Sequence, residues 1–248
     1  MVYRMLYSLR ILLPCVVLAV GSPVAAASTW NFASGGNSYT TTGNSWGNRL
    51  TFAQGTETLK VTAWANTANG MPASFETAYL GRYSTGLGVC NRDEGSVSNC
   101  INRGLDHQVD NVSQQDLVLF LFDSLQAMQS LTVDPYGTWD RDVSFWVGTV
   151  SPGVSLGGLN FGTLASLGFG GQVNSLNSAG DAPLTVGLGG LVGNALLVGA
   201  RYPADGSPDR FKIRSLVTMT PTTVVPLPAA AWLFLSALGS IAGLRRLA

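Results

Sequence analysis

Oxygen-bearing side chains are concentrated in two short segments near the middle of the chain. The set comprises Asp106, Asp110, Asn111, Asp116, Asp140 and Asp142. Carboxylate and amide oxygens on loops are calcium ligands, and the ion takes about six to eight of them. We therefore treat these residues as candidate calcium ligands, although the spacing lacks the glycine and terminal glutamate of an EF-hand. The alternative is that they fill turns by bonding their own backbone and that Asp140 pairs with Arg141 or Arg103.

The same carboxylates could also form the acid and base pair of a glycoside hydrolase. Asp110 with Asp116, or Asp140 with Asp142, would suffice if the side chains stood at a suitable separation. Sequence spacing does not give that separation, so glycan hydrolysis stays the less favoured alternative.

Two segments, 43–47 and 153–157, match the Gly-x-Ser-x-Gly pattern of a serine nucleophile. The pattern carries chemistry only at a turn from a strand to a helix. No apolar strand precedes the first match, and no histidine follows the second, because His107 is the only histidine of the chain. We expect no catalytic residue, and we expect that the protein is not an enzyme.

Cys90 and Cys100 are the two cysteines that remain outside the N-terminal segment. In an oxidising compartment we expect them to form a disulfide, which would stabilise the fold by about 2 to 3 kcal/mol. Together with His107 they are too few for a structural zinc site.

Composition narrows the function classes. Of the 248 residues, 46% are hydrophobic and only 11% are charged, and the mean hydropathy is +0.24. The chain can therefore bury a sizeable core and also has apolar segments at its ends. Four of its 14 basic residues lie in those end segments, and leaving them out gives ten basic against 14 acidic residues, a net charge of −4. We expect no nucleic-acid partner, since phosphate binding needs a cationic surface.

The N-terminal segment, 1–27, predicts export. Two arginines precede an apolar run, 11–20, and small residues that end at Ala27. This order is typical of a secretory signal peptide, and we expect signal peptidase to cleave between Ala27 and Ser28. An uncleaved anchor is the alternative, but the apolar run is shorter than the roughly 20 residues that cross a bilayer.

The C-terminal segment has three parts. A motif consists of Val225, Pro226, Leu227, Pro228 and Ala229. An apolar stretch, 230–244, follows it and predicts a single transmembrane helix, and the pair Arg245 and Arg246 would hold the end of that helix in the cytoplasm. The prolines favour an extended segment that a processing enzyme can bind. An ordinary tail anchor is the alternative, but it needs no such motif.

This order of motif, helix and arginine pair resembles the PEP-CTERM class of bacterial sorting signals, in the variant that reads Val-Pro-Leu-Pro-Ala. The resemblance implies that an exosortase, an integral-membrane enzyme similar to cysteine transpeptidases, recognises the signal. It also implies an inner-membrane intermediate and delivery to the cell surface, outer envelope or extracellular matrix of a Gram-negative bacterium, often one that makes exopolysaccharide. The chain would be the substrate of that enzyme.

Between the two signals, short runs rich in β-branched and aromatic residues recur between turn residues. They are 50–52, 58–64, 75–83, 116–122, 129–133, 143–150, 196–200 and 211–218. This pattern predicts an all-β protein, an antiparallel β-sandwich of jelly-roll type. Polar and apolar residues alternate over 58–63, which indicates a strand with one buried face, whereas the wholly apolar 117–122 predicts a central strand. We expect loops and weak strands in the glycine-rich segment 151–200.

The predicted organisation has four parts. They are a signal peptide, 1–27; an exported β-sandwich domain, 28–219; a spacer, 220–224; and a sorting signal, 225–248.

Segments of the predicted domain also resemble a family of exosortase-dependent surface proteins, to which no catalytic activity is attached. They are 86–89, 107–111 with 116–120, 140–144, 196–200 and 209–213. We therefore expect an exported surface or matrix protein that is associated with exopolysaccharide or a biofilm. Its partners would be signal peptidase, an exosortase and, through the C-terminal helix, transiently the membrane.

A calcium-dependent carbohydrate-binding module is the alternative function. Exposed aromatic rings could stack on sugars, and the candidates are Trp30, Trp46, Trp64 and Trp139. Such residues otherwise belong to the core, because tryptophan supplies a large buried area.

Overall fold

Antiparallel strands dominate the computed structural model, which describes residues 27–33, 38–39, 47–68, 73–94, 100, 107–135 and 137–221. All of these belong to one compact unit, Ala25–Pro221. The signal peptide up to residue 26, the sorting motif, the predicted C-terminal helix, and Arg245 with Arg246 lie outside the described residues.

Thirteen strands run through the described residues. They are β1 (Ala27–Asn31), β2 (Ser38–Tyr39), β3 (Arg49–Gln54), β4 (Glu57–Ala68), β5 (Ser74–Thr77), β6 (Tyr79–Tyr83), β7 (Gly86–Cys90), β8 (Val109–Asp110), β9 (Asp116–Pro135), β10 (Val143–Gly148), β11 (Val173–Ser175), β12 (Leu184–Ala200) and β13 (Arg210–Met219). Short 3-10 helices span Arg92–Glu94 and Phe161–Leu167. Every strand pairing is antiparallel, so the prediction of an all-β antiparallel fold is confirmed.

The strands form one continuous sheet in the order β11-β10-β12-β9-β13-β7-β6-β2, with further strands attached to β4, β9 and β13. β9 is the long central strand of this sheet. Residues 116–122 of β9 pair with β4, whereas residues 127–135 pair with β13. β12 follows β9 along most of its length, with two bulges.

β9 folds back on itself, so the two halves of the sheet face each other. Trp30 of β1 is aligned, through Leu216 of β13, with Leu131 in the second half of β9. Its ring nevertheless contacts Phe122 in the first half of β9, with 5.8 Å between the ring centroids. The result is a sandwich-like arrangement around one core; jelly-roll connectivity stays a prediction.

The first half of β9 is buried on both faces, as the apolar run predicts. Val118, Phe120 and Phe122 lie in the core between the two halves of the sheet, and Leu117 and Leu119 lie in a second cluster on the outer face. The Phe161–Leu167 helix and the loop before it cover that outer face. Hydrogen bonds to β4 on one edge and β12 on the other satisfy the backbone.

β4 has the one-sided pattern expected from its sequence. Leu59, Val61 and Ala63 are fully buried, whereas Lys60 between them is exposed. The strand therefore covers the core with one face and meets solvent with the other.

The sequence misplaced several strand boundaries. The predicted strand 75–83 is two strands, β5 and β6, and the predicted strands 116–122 and 129–133 are parts of the single strand β9. In the glycine-rich segment, β12 is one strand of 17 residues rather than a set of weak ones. Gly189 and Gly190, with φ of 70° and 68°, lie at its first bulge, where a residue with positive φ lets a strand bend without losing its pairing.

A disulfide joins Cys90, at the end of β7, to Cys100, and their Cα atoms are 5.8 Å apart. Both cysteines are buried against Tyr79. The prediction that these two residues pair is therefore confirmed.

Within the described part of the chain, no helix is long and apolar enough to cross a membrane. The transmembrane helix predicted over 230–244 lies outside that part.

Phe120→Ala tests whether β9 is the core of the sheet. Phe120 is fully buried and stacks on Phe32 with 5.4 Å between ring centroids. We expect the substitution to lower the free energy of unfolding by about 3 to 5 kcal/mol, because it leaves a cavity. Urea unfolding of the full-length chain measures it. Leu125→Ala is the control: Leu125 is on the same strand but 46% exposed, so its cost should stay within about 0.5 kcal/mol. Equal costs at the two positions would contradict this account of β9.

Candidate functional site

The predicted calcium ligands meet at one end of the folded sheet, where β8 ends, β9, β10 and β13 begin, and β12 ends. There the structure distributes them over two groups of carboxylates. Glu94, Asp110 and Asp116 form the Asp116 cluster, and Asp140, Asp142 and Asp209 form the Asp209 cluster. In each cluster one carboxylate oxygen from each residue lies within 4.8 Å of the other two. Asp106 lies outside the described residues.

Asp209 is a fully buried carboxylate that ties three loops together. Its Oδ1 accepts a hydrogen bond from the backbone amide of Asp142 at 2.8 Å. Its Oδ2 accepts from Asn111 Nδ2 at 2.7 Å and from the backbone amide of Arg201 at 3.3 Å. The Asp209 amide in turn donates to Asn111 Oδ1 at 2.9 Å. Asn111, a predicted calcium ligand, is therefore a structural partner of Asp209.

The remaining members of the Asp209 cluster also have partners from the chain itself. Asp142 accepts from the backbone amide of Asn177 and forms an ion pair with Arg201 at 3.0 Å. Asp140 accepts from the backbone amide of Arg141 at 2.8 Å. The Arg141 guanidinium instead donates to the carbonyls of residues 178 and 182, so the ion pair considered between Asp140 and Arg141 does not form. This cluster thus uses most of its oxygens to hold loops.

Burial raises the pKa of Asp209 to about 7. The amides of Asp142 and Arg201 lower the pKa by hydrogen bonding to the carboxylate, whereas the charges of Asp142 and Asp140 raise it. Desolvation is the largest effect, because burial disfavours the charged form of a carboxyl group. Near neutral pH, Asp209 therefore exchanges between its charged and neutral forms.

The Asp116 cluster differs because one of its oxygens is unsatisfied. Asp116 is fully buried, and its Oδ1 accepts from Asn91 Nδ2 at 3.1 Å. Its Oδ2 has no hydrogen-bond partner in the described part of the chain. Burial is the main reason that the pKa of Asp116 is raised, and the charges of Asp110 and Glu94 raise it further. Hydrogen bonds from the Asn91 side chain and the Asp110 backbone lower it.

Local structure fixes the other two carboxylates. Asn91 Oδ1 accepts hydrogen bonds from the backbone amides of residues 93 and 94, and this starts the short helix that carries Glu94. The backbone amide of Asn91 donates to Glu94 Oε2 at 2.8 Å. Asp110 ends β8, and its Oδ1 accepts from the amide of Val112 at 3.0 Å. Two turns therefore aim Glu94 and Asp110 at the buried Asp116.

A cavity of about 280 Å³ adjoins the Asp116 cluster. Glu94, Asp110, Ser113 and Arg210 are among its lining residues, but Asp116 is not. A sugar in this cavity would meet one face of the cluster without reaching Asp116. The pair of Asp110 and Asp116 is therefore poorly placed for glycoside hydrolysis, which needs both carboxyl groups beside the scissile bond.

The serines of the two Gly-x-Ser-x-Gly matches were not expected to be nucleophiles. Ser155 lies in an irregular segment after β10, and its Oγ accepts from the amide of Gly157 at 3.3 Å. His107 contacts other residues, since its Nδ1 is 2.9 Å from the Cys100 carbonyl and its ring stacks on Tyr83. Ser45 lies outside the described residues.

Two of the four tryptophans considered for sugar stacking are core residues. Trp30 and Trp64 are 2% and 5% exposed. Trp139 is 37% exposed, but the Arg210 guanidinium lies over its ring, 4.8 Å from the centroid. Trp46 lies outside the described residues.

A different aromatic surface is present. Phe161 and Tyr202 stack with 3.7 Å between ring centroids, and they line a cleft of about 290 Å³ together with Asn66 and Asn160. This cleft was not predicted from the sequence, because its lining residues come from three distant segments of the chain.

Glu94 and Asp209 are the two carboxylates that sequence reasoning missed. Glu94 lies between the two cysteines, in Asn-Arg-Asp-Glu, and Asp209 stands directly before β13. The sequence does contain a signal for Asp209, because an acidic residue shortly before a predicted strand often lies at the edge of a sheet, where other loops meet. Neither residue is near the predicted ligands in sequence, so their convergence depends on the fold of the sheet.

Asp209→Asn should remove a pH dependence of stability. A carboxyl group whose pKa is raised by folding stabilises the fold when protonated, so its contribution is complete below about pH 4 and is lost as the pH rises through about 7. In wild type, ionisation of Asp209 between about pH 4 and about pH 7 therefore lowers the free energy of unfolding by at most about 1.4 kcal/mol per pH unit. Asparagine cannot ionise, so the slope should become shallower. Urea unfolding at pH 5, 6, 7 and 8 measures it.

The charged groups that face Asp209 are Asp140, Asp142 and Arg201, and they are unchanged in this variant. Asp205→Asn is the control, because Asp205 also pairs with Arg201 but is more exposed. Its slope should equal that of wild type. Identical slopes for Asp209→Asn and wild type would rule out this role for Asp209.

Comparison of the chain with protein-family models, with curated proteins and with solved structures finds no match in any of the three.

Proposed function

We propose that this chain is an exported bacterial surface or extracellular-matrix protein that reaches its site through a C-terminal sorting signal. The observation that carries the proposal is the order of parts over 225–246: a proline-containing motif, an apolar stretch and a pair of arginines. In this proposal an exosortase recognises the motif, and the chain is its substrate.

The order of events follows from the two end segments. The N-terminal signal peptide directs the chain across the inner membrane, and signal peptidase releases it after Ala27. The apolar stretch 230–244 then holds the chain in the membrane as an intermediate, with Arg245 and Arg246 on the cytoplasmic side. Processing near 225–229 releases the folded domain to the surface or the matrix.

One feature of the domain supports export. A buried disulfide between Cys90 and Cys100 suits an oxidising compartment outside the cytoplasm. We propose jelly-roll connectivity for this sandwich and association with exopolysaccharide or a biofilm as its role.

Deleting residues 225–229 tests the proposal. We expect the variant to be exported and cleaved after Ala27 but to stay in the inner-membrane fraction, because the processing enzyme has lost its recognition motif. Fractionation of the producing bacterium, with immunoblotting and mass spectrometry of the C-terminal peptide, measures this.

Deleting the spacer, residues 220–224, is the matched control, since it removes five residues beside the motif but leaves the signal intact. The spacer variant should reach the surface without residues 245 and 246. Surface material that carries an intact tail in wild type, or normal surface delivery of the motif deletion, would refute the sorting proposal.

Glycan binding is a second candidate function, and the aromatic cleft favours it. Phe161 and Tyr202 offer stacked rings, and Asn66 and Asn160 offer amide groups in the same concave surface. Ligand sites commonly combine apolar walls with a few polar groups that fix orientation. This assignment replaces the tryptophans expected from the sequence.

Tyr202→Ala tests the cleft. Loss of the ring should reduce retention of the protein on immobilised exopolysaccharide from the producing bacterium by about tenfold, a loss of about 1.4 kcal/mol. Tyr202→Phe is the control, since it keeps the ring and should bind within about twofold of wild type. Circular dichroism checks that both variants fold. Unchanged retention of Tyr202→Ala would exclude the cleft as the glycan site.

A further inference from the structure

The unsatisfied oxygen of Asp116 requires a partner. Asp116 is 0% exposed, and its Oδ2 has no hydrogen bond in the described part of the chain. Buried polar atoms in folded proteins nearly always have a partner, and one that lacks it often marks a bound ion or water. Glu94, Asp110 and Asp116 each place one carboxylate oxygen within 4.8 Å of the other two.

We propose that the Asp116 cluster, Glu94, Asp110 and Asp116, binds a calcium ion. The proposal goes beyond the sorting function and does not depend on it, because it is argued from the position of the three carboxylates alone.

Distances fit this ion. Two ligands of one calcium ion stand at most about 5 Å apart, which is twice the usual calcium–oxygen distance. The oxygens of the Asp116 cluster lie within this limit. Every donor in the cluster is an oxygen, which suits a hard cation and not zinc or copper.

The cavity beside the cluster supplies the rest of the coordination sphere. Its volume of about 280 Å³ can hold several waters, and Glu94 and Asp110 form part of its wall. Three carboxylate oxygens, one from each residue, with three to five waters reach the coordination number of about six to eight that calcium prefers.

The two clusters differ in the contacts of the basic side chains near them. Arg210 lines the cavity beside the Asp116 cluster, and its guanidinium lies over the Trp139 ring, 4.8 Å from the centroid. The Asp209 cluster differs in this respect, since Arg201 pairs with Asp142 and backbone amides occupy Asp209. We therefore assign the ion to the Asp116 cluster only.

Calcium titration of the full-length chain tests the proposal. After treatment with EGTA, CaCl2 added to about a hundredfold excess over its Kd should raise the Tm by about 5 to 10 °C. Isothermal titration calorimetry should show that wild type binds one calcium ion per chain and that this binding depends on Asp116. Asp116→Asn should weaken calcium binding by more than about tenfold. In EGTA its Tm should equal or exceed that of wild type, because the substitution removes an unpartnered buried charge.

Asp140→Asn is the matched control, since it removes a carboxylate of the Asp209 cluster and should keep the wild-type calcium response. The proposal is overturned if wild type does not respond to calcium, or if Asp116→Asn responds as wild type does. Should Asp116→Asn fail to fold, Glu94→Gln decides: loss of calcium affinity supports the site, and unchanged affinity overturns it. Each outcome is independent of the deletion of residues 225–229, so failure here leaves the sorting proposal standing.

Discussion

β9 must satisfy its backbone on two edges and bury side chains on two faces along its first seven residues. β4 and β12 provide the edges, while the second half of the sheet and the loop around Phe161–Leu167 provide the faces. These demands can be met together only if the sheet folds back over the apolar face, which is why β9 turns between residues 122 and 127. The same turn brings the start and the end of β9 to one end of the molecule, and with them the loops that carry the carboxylates.

The two carboxylate clusters show how similar residues reach different states. Around Asp209, backbone amides and an arginine from the same chain occupy the oxygens, so the cluster acts as a fastening for loops. Around Asp116, the chain brings three acids together, and one buried oxygen has no donor among the described residues. Acidic residues alone do not distinguish these cases; the number of donors aimed at them does.

Sequence pattern predicted the parts of the fold that depend on local burial. The alternation in β4 and the apolar run at 117–122 follow directly from the side-chain period of a strand. The pairing of Cys90 with Cys100 was predicted because they are the only two cysteines outside the N-terminal segment 1–27. The strand predicted over 196–200 is the end of β12, whereas residues 184–195 were not predicted as a strand because their glycines look like loop residues, although the bulges of a bent strand need them. Short strands such as β8 were not predicted, because two residues are too few to show the alternation of side chains that marks a strand.

Only those residues of the candidate site that are close to one another along the chain were predicted from the sequence. Asp110 and Asp116 are close along the chain and also close in space, whereas Glu94 and Asp209 arrive from other segments. Four of the predicted ligands, Asp110, Asp116, Asp140 and Asp142, are divided between the two clusters. This division depends on which strands are neighbours, and it follows from sheet topology that composition and spacing do not encode.

β13 separates the two groups of acids from the far end of the last described strand. It starts at Arg210, next to both groups of acids, and ends at Met219, which is paired with Ala127 of β9. Its ten residues extend for about 30 Å at the usual rise of a strand. The acids and the pairing of Met219 with Ala127 therefore stand at opposite ends of the same strand.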